Sequence, residues 1–289
     1  MPPMTNQEIY DMYSSEYHCD YYDCVVGDVV PVSDAGVYRQ AFQQMHILRA
    51  QKSQQPDPAD RYLVLDIGTG SGRVLNDLAA TEGHSLHTTD LMGIDNSQYM
   101  LDRAEARALA GRISWVLHSA FDLESLVAGR EVDLLIFAIG SIGHFHAPAQ
   151  SERFLEQVGC VLRPGSGRAY ISIRDCCFME NATLGGQEKG VMEVASKTFP
   201  GVLYRGELVD VRVEGRVRFD RCTFQAFRMD ARGREVTLEE NDYWTTMRLW
   251  EKGELAVMAS GYGLVVVDTV KAIDETIFVL RKEPSMATL

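Results

Sequence analysis

The chain has 289 residues, of which 46% are hydrophobic and 24% charged, and its formal net charge is −13. That length holds one large or two modest domains with an ample core, and the balance is that of a globular protein in water. The acidic charge argues against a nucleic-acid partner, since phosphate binding needs a basic surface; no apolar run is long enough for a membrane span, and the first residues read as no signal peptide.

Glu8 to Tyr22 is dense in tyrosine, and Tyr10, Tyr13, Tyr17 and Tyr21 recur at helical spacing, which predicts a helix with one aromatic face. Such a face either packs on a core or closes as a lid over a cationic ligand by cation–π attraction. Val25 to Val32 reads as an apolar turn region and Asp34 to Gln51 as a further helix, before Gln54-Gln55-Pro56-Asp57-Pro58 breaks the chain.

Leu63 to Ile67 is a short apolar run with Asp66 near its end, the pattern of a buried parallel strand. Gly68, Gly70 and Gly72 follow at alternate positions, and helical spacing returns from Arg73 to Ala80. Strand, glycine turn and helix is how a doubly wound sheet opens its ligand crevice, with the glycines letting a ligand lie on bare backbone. A dinucleotide fingerprint wants G-x-G-x-x-G, whereas this stretch is G-x-G-x-G with Arg73 after it. Asp66 would repel a phosphate and welcome an amino-acid ammonium.

Leu91 to Asp95 is a second strand ending in an acid placed to accept ribose hydroxyls, and Asn96-Ser97-Gln98 opens a helix with Ser97 near its cap. Ile113 to His118 is a third strand, and Val132 to Ile139 a fourth, running into Gly140-Ser141-Ile142-Gly143-His144-Phe145-His146. A helix over Ser151 to Leu162 stops at Arg163-Pro164-Gly165, and Arg168 to Ile173 is a fifth strand. Beyond Cys176, alternating stretches at Leu208–Val213, Arg216–Phe219 and Thr223–Met229 predict antiparallel strands, with Asp230-Ala231-Arg232-Gly233 as a hairpin turn into Glu235–Leu238. Thr246 to Gly261 reads as a returning helix, and Leu264–Val270 with Thr276–Arg281 as a closing antiparallel pair.

Cys19, Cys24, Cys160, Cys176, Cys177 and Cys222 form no C-x-x-C pair and read as reduced thiols of a cytosolic protein. The seven histidines show no metal-ligand spacing, so no metal is expected.

The glycine turn, Asp95 and the Leu162-Arg163-Pro164-Gly165 phrase together resemble the class I S-adenosylmethionine-dependent methyltransferases. Ser141-Ile142-Gly143-His144, with Tyr10-Asp11 and Tyr21 at matching spacing, is similar to the nucleotide-sugar amine N,N-dimethyltransferases and, more loosely, to glycine N-methyltransferase-like enzymes. The resemblance runs from about Tyr10 to Lys282. It implies an α/β, Rossmann-like, doubly wound seven-stranded sheet with an antiparallel β insertion after strand five. Residues 1–58 would form a helical lid, 59–175 and 248–289 the cofactor domain, and 176–247 the substrate-side insertion.

S-adenosylmethionine is then the expected cofactor. Tyr21, Asp66, Gly68, Gly70, Gly72, Asp95, Asn96, Met100, Ala120, Phe121 and Ala138 are its expected contacts, with backbone near Ala138 meeting the ammonium. The family has an acid where this chain has Ala120, a departure for which Asp122 is the candidate substitute. His144 is expected as base or acceptor-orienting group, because a histidine accepts a proton near neutral pH. Tyr10 is placed nearest the sulfonium. Tyr13, Ser141, His146 and Arg174 are candidate substrate contacts, Arg174 for an acidic group. The reaction expected is N-methylation of a small-molecule amine. O-methylation, or a non-catalytic or non-methylating protein of this fold, are the alternatives. The expected setting is cytoplasmic, without nucleic acid or membrane, and a homodimer is compatible with the sequence.

Overall fold

The computed structural model describes residues 12–26, 34–52, 61–82, 85–108, 112–147, 149–183 and 190–284. A 3₁₀ turn over Met12–Ser14 precedes α1 (Glu16–Val25), and α2 spans Ala35–Lys52. Alternation then sets in: β1 (Tyr62–Ile67), α3 (Arg73–Thr81), β2 (Thr89–Asp95), α4 (Gln98–Arg107), β3 (Ile113–Leu117), α5 (Leu123–Val127), β4 (Leu134–Phe137), α6 (Gln150–Val161) and β5 (Arg168–Arg174). Four long or edge strands follow, β6 (Val191–Ala195), β7 (Val202–Glu214), β8 (Val217–Met229) and β9 (Glu235–Arg248). The chain ends with α7 (Glu254–Ser260), β10 (Leu264–Ala272) and β11 (Glu275–Lys282).

The main sheet is seven-stranded, in the order β10-β11-β5-β4-β1-β2-β3, with β11 antiparallel to β5 and to β10. From β1 the chain builds outward through β2 and β3, then crosses back to β4, so the strand order reverses beside β1. Ligand crevices of doubly wound sheets open at such a reversal, outside the carboxyl ends of the strands. Both faces are covered. Leu63, Leu65 and Ile67 face a core shared with α6 and α7, and Val64 faces one shared with α2 and α3. That double burial is why the strands read as unbroken apolar runs rather than as alternation.

β6 to β9 form a separate antiparallel sheet in that order. One face packs on α1 through Tyr204, Phe224, Ala226 and Tyr243, with Tyr17 and Tyr21 against them. The other carries ion pairs such as Arg205 with Glu193 and Glu235, and Arg221 with Asp242. All six cysteines are free thiols. No helix of the described residues is long and apolar enough to cross a membrane.

Several expectations are corrected. The tyrosine-rich segment is not one helix: Ser15 caps α1 by accepting from the His18 amide at 3.2 Å, which separates Tyr13 from Tyr17 and Tyr21. The returning helix expected over 246–261 is shorter. Strand β9 continues to Arg248, its β-branched Thr245 and Thr246 paired with β8, and α7 begins only after Gly253 at φ 83°. Residues 217–219 and 223–229 lie on one strand, β8, with Arg216 in the turn before it, and β6 is a strand that the sequence pattern does not predict. Tyr10 and most of the Val25–Val32 turn lie outside the described residues.

Asp133, 2% exposed just before β4, fixes the base of the sheet. It accepts from Arg49 of α2 at 3.0 Å, from Arg163 after α6 at 2.7 Å, and from the Leu63 amide at 3.0 Å. Asp133→Ala would remove the buried carboxylate that Arg49, Arg163 and the Leu63 amide share, while Arg163 would keep Glu131 at 2.8 Å. The expected cost is about 3 kcal/mol, or roughly 6–12 °C in Tm for a chain of this size, read by thermal denaturation.

Candidate active site

The glycine turn between β1 and α3 is built from left-handed backbone, with φ of 58° at Gly68, 55° at Gly70 and 76° at Gly72. The Thr69 amide donates to the Ile94 carbonyl at 2.9 Å, and the Gly70 amide to Asp95 Oδ2 at 2.9 Å, so the turn is tied to the end of β2. Gly68 and Gly70 line the crevice. Gly72 does not. A Cβ there would lie 2.5 Å from the Trp115 ring and 2.9 Å from Ala104, so its service is close packing of α3 rather than ligand contact.

A cavity of about 330 Å³ opens above the strand ends. Asp95, Asn96 and Met100 form one side, Ala120 and Phe121 another, and Ser141, His144 and Phe145 a third, with Tyr13 and Tyr22 above. Its apolar wall is an aromatic stack, with Phe121 and Phe145 centroids 4.7 Å apart and Phe137 and Phe145 5.5 Å apart. Asp95 presents its carboxylate there while held by the Gly70 and Ser97 amides, both at 2.9 Å. Asp122 does not replace the acid missing at position 120. It is 58% exposed and takes the Ser125 hydroxyl at 2.6 Å, while Ser119 and His118 line the cavity instead.

A smaller cavity of about 90 Å³ adjoins it, sharing Tyr22, Gly68, Gly70 and Ser141. Its lining includes Asp66, Arg73, Asp23, Arg107, Ala138 and Ile139. Asp66 is 2% exposed, and the Thr69 hydroxyl donates to it at 2.7 Å. Arg73 does not pair with it, being claimed by both oxygens of Asp34 at 2.7 Å each. Burial therefore raises the Asp66 pKa to about 7, against the Thr69 hydrogen bond and the Arg73 charge, with Asp95 and Asp34 adding to the rise. Ile139 is a β-branched residue at φ 53°, a strained conformation of the kind found at ligand sites.

This arrangement fits S-adenosylmethionine. A buried carboxylate without a cation suits the ammonium of a methionine moiety, the oriented Asp95 suits ribose hydroxyls, and the aromatic wall suits adenine. The bare backbone at Gly70, with nothing within 4 Å of where a side chain would begin, admits the chain between them.

Asp66, Gly68, Gly70, Asp95, Asn96, Met100, Ala120, Phe121, Ala138, Tyr13, Ser141 and His144 thus converge on the two cavities. Tyr21 does not. It points the other way from α1 into the insertion, its ring 5.3 Å from Phe224 and 6.0 Å from Tyr204, and its neighbour Tyr22 takes the crevice. Nothing local in the sequence separates Tyr22 from Tyr21; the docking of α1 on the insertion turns Tyr22 toward the cavities. His146 lines neither cavity, and its charge acts on His144. Arg174, exposed at the end of β5, packs its stem where any side chain on Gly140 would stand. It has no ion-pair partner among the described residues.

The proton on Asp66 sets a pH dependence. An acid with a raised pKa stabilises the free fold most below about pH 4 and loses that contribution as pH rises through about 7, and a bound ammonium favours the ionised form. Affinity for S-adenosylhomocysteine, the demethylated cofactor, is expected to rise roughly tenfold from pH 6 to pH 8, measured by calorimetry. In Asp66→Asn the affinity should be weaker and this slope should disappear.

Comparison with known proteins bears on the same residues. A methyltransferase domain family matches residues 64–165, which hold the glycine turn, Asp95 and His144. The chain is 30% identical over 286 residues to the N-methyltransferase FrzE of a Cladobotryum species, covering 94% of this chain and 96% of that protein. Among solved structures, the sugar N-methyltransferase KedS8 from Streptoalloteichus shares the fold at a TM-score of 0.64 and 16% identity, covering 98% of this chain and 99% of that one. CalS10, an amino pentose methyltransferase from Micromonospora echinaspora with S-adenosylmethionine bound, superposes at 0.58 and 18% identity, over 85% of this chain and 91% of that one. With a relative aligned end to end and the cofactor crevice in place, the chain belongs to the class I S-adenosylmethionine-dependent methyltransferases, and S-adenosylmethionine is its cofactor.

Proposed function

We propose that the enzyme transfers a methyl group to the nitrogen of a small-molecule amine, with His144 as the base or the group that orients the acceptor. The observation that carries this reading is the position of His144. It ends the 3₁₀ turn Ser141–His144 after β4 and lines the same cavity as Asp95, with its ring edge-on to Tyr13 at a centroid distance of 6.5 Å. The ring is exposed toward the cavity and walled by protein elsewhere. That enclosure, aided by the charges of His146 and Arg174, lowers its pKa from the ordinary 6.5. A neutral imidazole at pH 7 can accept a proton, and an amine must lose one to attack.

The bound cofactor supplies an electrophilic methyl on its sulfonium. The chain supplies the rest: Asp66 and Asp95 fix the ends of the cofactor, Tyr13 and Tyr22 exclude water from above, and His144 takes the proton directly or through a water. That FrzE is an N-methyltransferase supports nitrogen as the acceptor, and the sugar and amino pentose methyltransferases KedS8 and CalS10 support an amine on a compact polar metabolite. Arg174 supports an acceptor that also carries an acidic group. In the proposed division of labour, residues 1–58 cover the cofactor held by 59–175 and 248–289, and 176–247 bounds the acceptor side.

His144→Ala should lower turnover by about 10²–10⁴-fold while cofactor affinity, read by calorimetry, changes little. Turnover near wild type would remove the base role. A panel of primary and secondary amines against matched alcohols, scored by product mass, tests the acceptor, and methylation confined to the alcohols would overturn the N-methyl reading. Arg174→Gln should raise KM about tenfold for carboxylate-bearing acceptors with kcat held. An equal KM for neutral and acidic acceptors in the wild type would remove that assignment.

A further inference from the structure

The roof of the cofactor cavities is α1 with the turn before it, and it owes its place to a carboxylate that touches neither cavity. Asp20 is fully buried, yet four donors converge on it. Arg103 Nη2 of α4 and the Thr198 hydroxyl both reach Oδ1 at 2.5 Å. The Ser196 hydroxyl reaches Oδ2 at 2.5 Å, and the Tyr204 hydroxyl of β7 reaches it at 2.9 Å. Burial alone would push its pKa up; the hydrogen bonds from Ser196, Thr198, Tyr204 and Arg103 outweigh that and hold it below the ordinary carboxylate value.

The donors come from two different parts of the fold, which α1 also touches through its aromatic packing on the insertion and through Asp23. Arg103 belongs to the main sheet's helical layer, and Ser196, Thr198 and Tyr204 belong to the separate four-stranded sheet. Ser196 is itself locked, its hydroxyl accepting from the Thr198 amide at 3.1 Å and the Phe199 amide at 2.7 Å. One helical turn on from Asp20, Asp23 accepts from the same Arg103 at 2.6 Å and from Arg107 at 2.8 Å. Asp23 and Arg107 line the smaller cavity, and Tyr22 between the two acids lines both. Asp20 and Asp23 therefore face α4 and the insertion, and the intervening tyrosine is thereby held over the crevice.

We propose that Asp20 is a positioning residue for cofactor binding. It clamps α1 simultaneously to α4 and to the turn between β6 and β7, so that Tyr22, Asp23 and Arg107 stand ready around the cofactor before it arrives. In this arrangement the insertion has a second task besides bounding the acceptor side: its Ser196–Thr198 turn sets cofactor affinity from outside the cofactor site. The inference rests on the cofactor crevice alone and holds whichever acceptor is methylated.

The thermodynamic expectation follows from population. A ligand that needs a closed roof binds more weakly in proportion to the fraction of molecules whose roof is open. Asp20→Asn keeps the shape but turns one of two acceptors into a donor facing donors, and it removes the charge that Arg103 and the hydroxyls were arranged around.

The test uses the full-length protein and two readouts that do not require turnover: the Kd for S-adenosylhomocysteine by calorimetry, and amide hydrogen exchange. Asp20→Asn should raise Kd by ~10-fold or more. It should also speed exchange over residues 16–25, while β1 and β4 exchange as in the wild type. Thr198→Val, which removes one donor and is the milder change, should raise Kd ~3-fold with faster exchange over the same helix. It decides the matter if Asp20→Asn does not fold. Arg221→Gln, which breaks a pair with Asp242 on the solvent face of the same insertion, should leave both readouts unchanged. A Kd within about twofold of wild type in folded Asp20→Asn, or in Thr198→Val if that variant alone folds, would overturn the proposal. An equal loss in Arg221→Gln would do the same, since general loosening of the insertion would then be the cause.

Discussion

The parallel pairing of β1 with β4 is the constraint on which the site depends. Val64, Leu65 and Asp66 lie opposite Leu134, Leu135 and Ile136, so both strands end at the same level. The glycine turn leaves one strand and the Ser141–His144 turn leaves the other, side by side, with the chain's reversal of direction leaving no connection between them to block the gap. The crevice is the space that this pairing cannot fill. Asp133 guards the same pairing from the opposite end, where its contact with the Leu63 amide ties the entry of β4 to β1.

Charge placement separates structural acids from the acid kept for a ligand. Among the described residues, five aspartates are buried below a tenth of their surface, and four are matched to arginine: Asp20 and Asp23 to Arg103, Asp34 to Arg73, Asp133 to Arg49 and Arg163. The fifth, Asp66, takes a threonine hydroxyl and pairs with no arginine among those residues. An unmatched buried carboxylate is costly to keep, and its persistence in the floor of a cavity points to a cation that arrives from outside. Arg174 is the mirror case, an exposed guanidinium against Gly140 at the end of β5, lining neither cavity and without an ion-pair partner among the described residues.

Much of this was legible beforehand because it is carried by patterns of short range. Leu63–Ile67 with its following glycines, Asp95 ahead of a capped helix, and Arg163-Pro164-Gly165 each specify their own local structure, and sheet order follows from strands alternating with helices. What escaped depended on where separate segments meet. Tyr21 and Tyr22 differ by one residue, hence by about 100° around α1, and only the docking of that helix on Phe224 and Tyr204 decides which enters the crevice. Asp122 had the right charge near the right place, but its rotamer is set by Ser125 one turn along. Thr246 to Gly261 reads as helix because its apolar residues fit either period, while β8 supplies the hydrogen bonds that keep its first residues, Thr246 to Arg248, in strand β9.

Ile139 carries a consequence for how this enzyme could change over time. Its left-handed backbone, worth of order 1–3 kcal/mol of strain, sits where β4 hands over to the turn bearing His144. A glycine there would relieve the strain, so random drift toward greater robustness has an easy step available at the wall of the cofactor cavity. The isoleucine leaves that strain in the wall of the cofactor cavity, where a glycine would trade it for a looser wall. Thermostabilisation that ranks substitutions by fold energy alone would choose this site early and soften the wall it was meant to preserve.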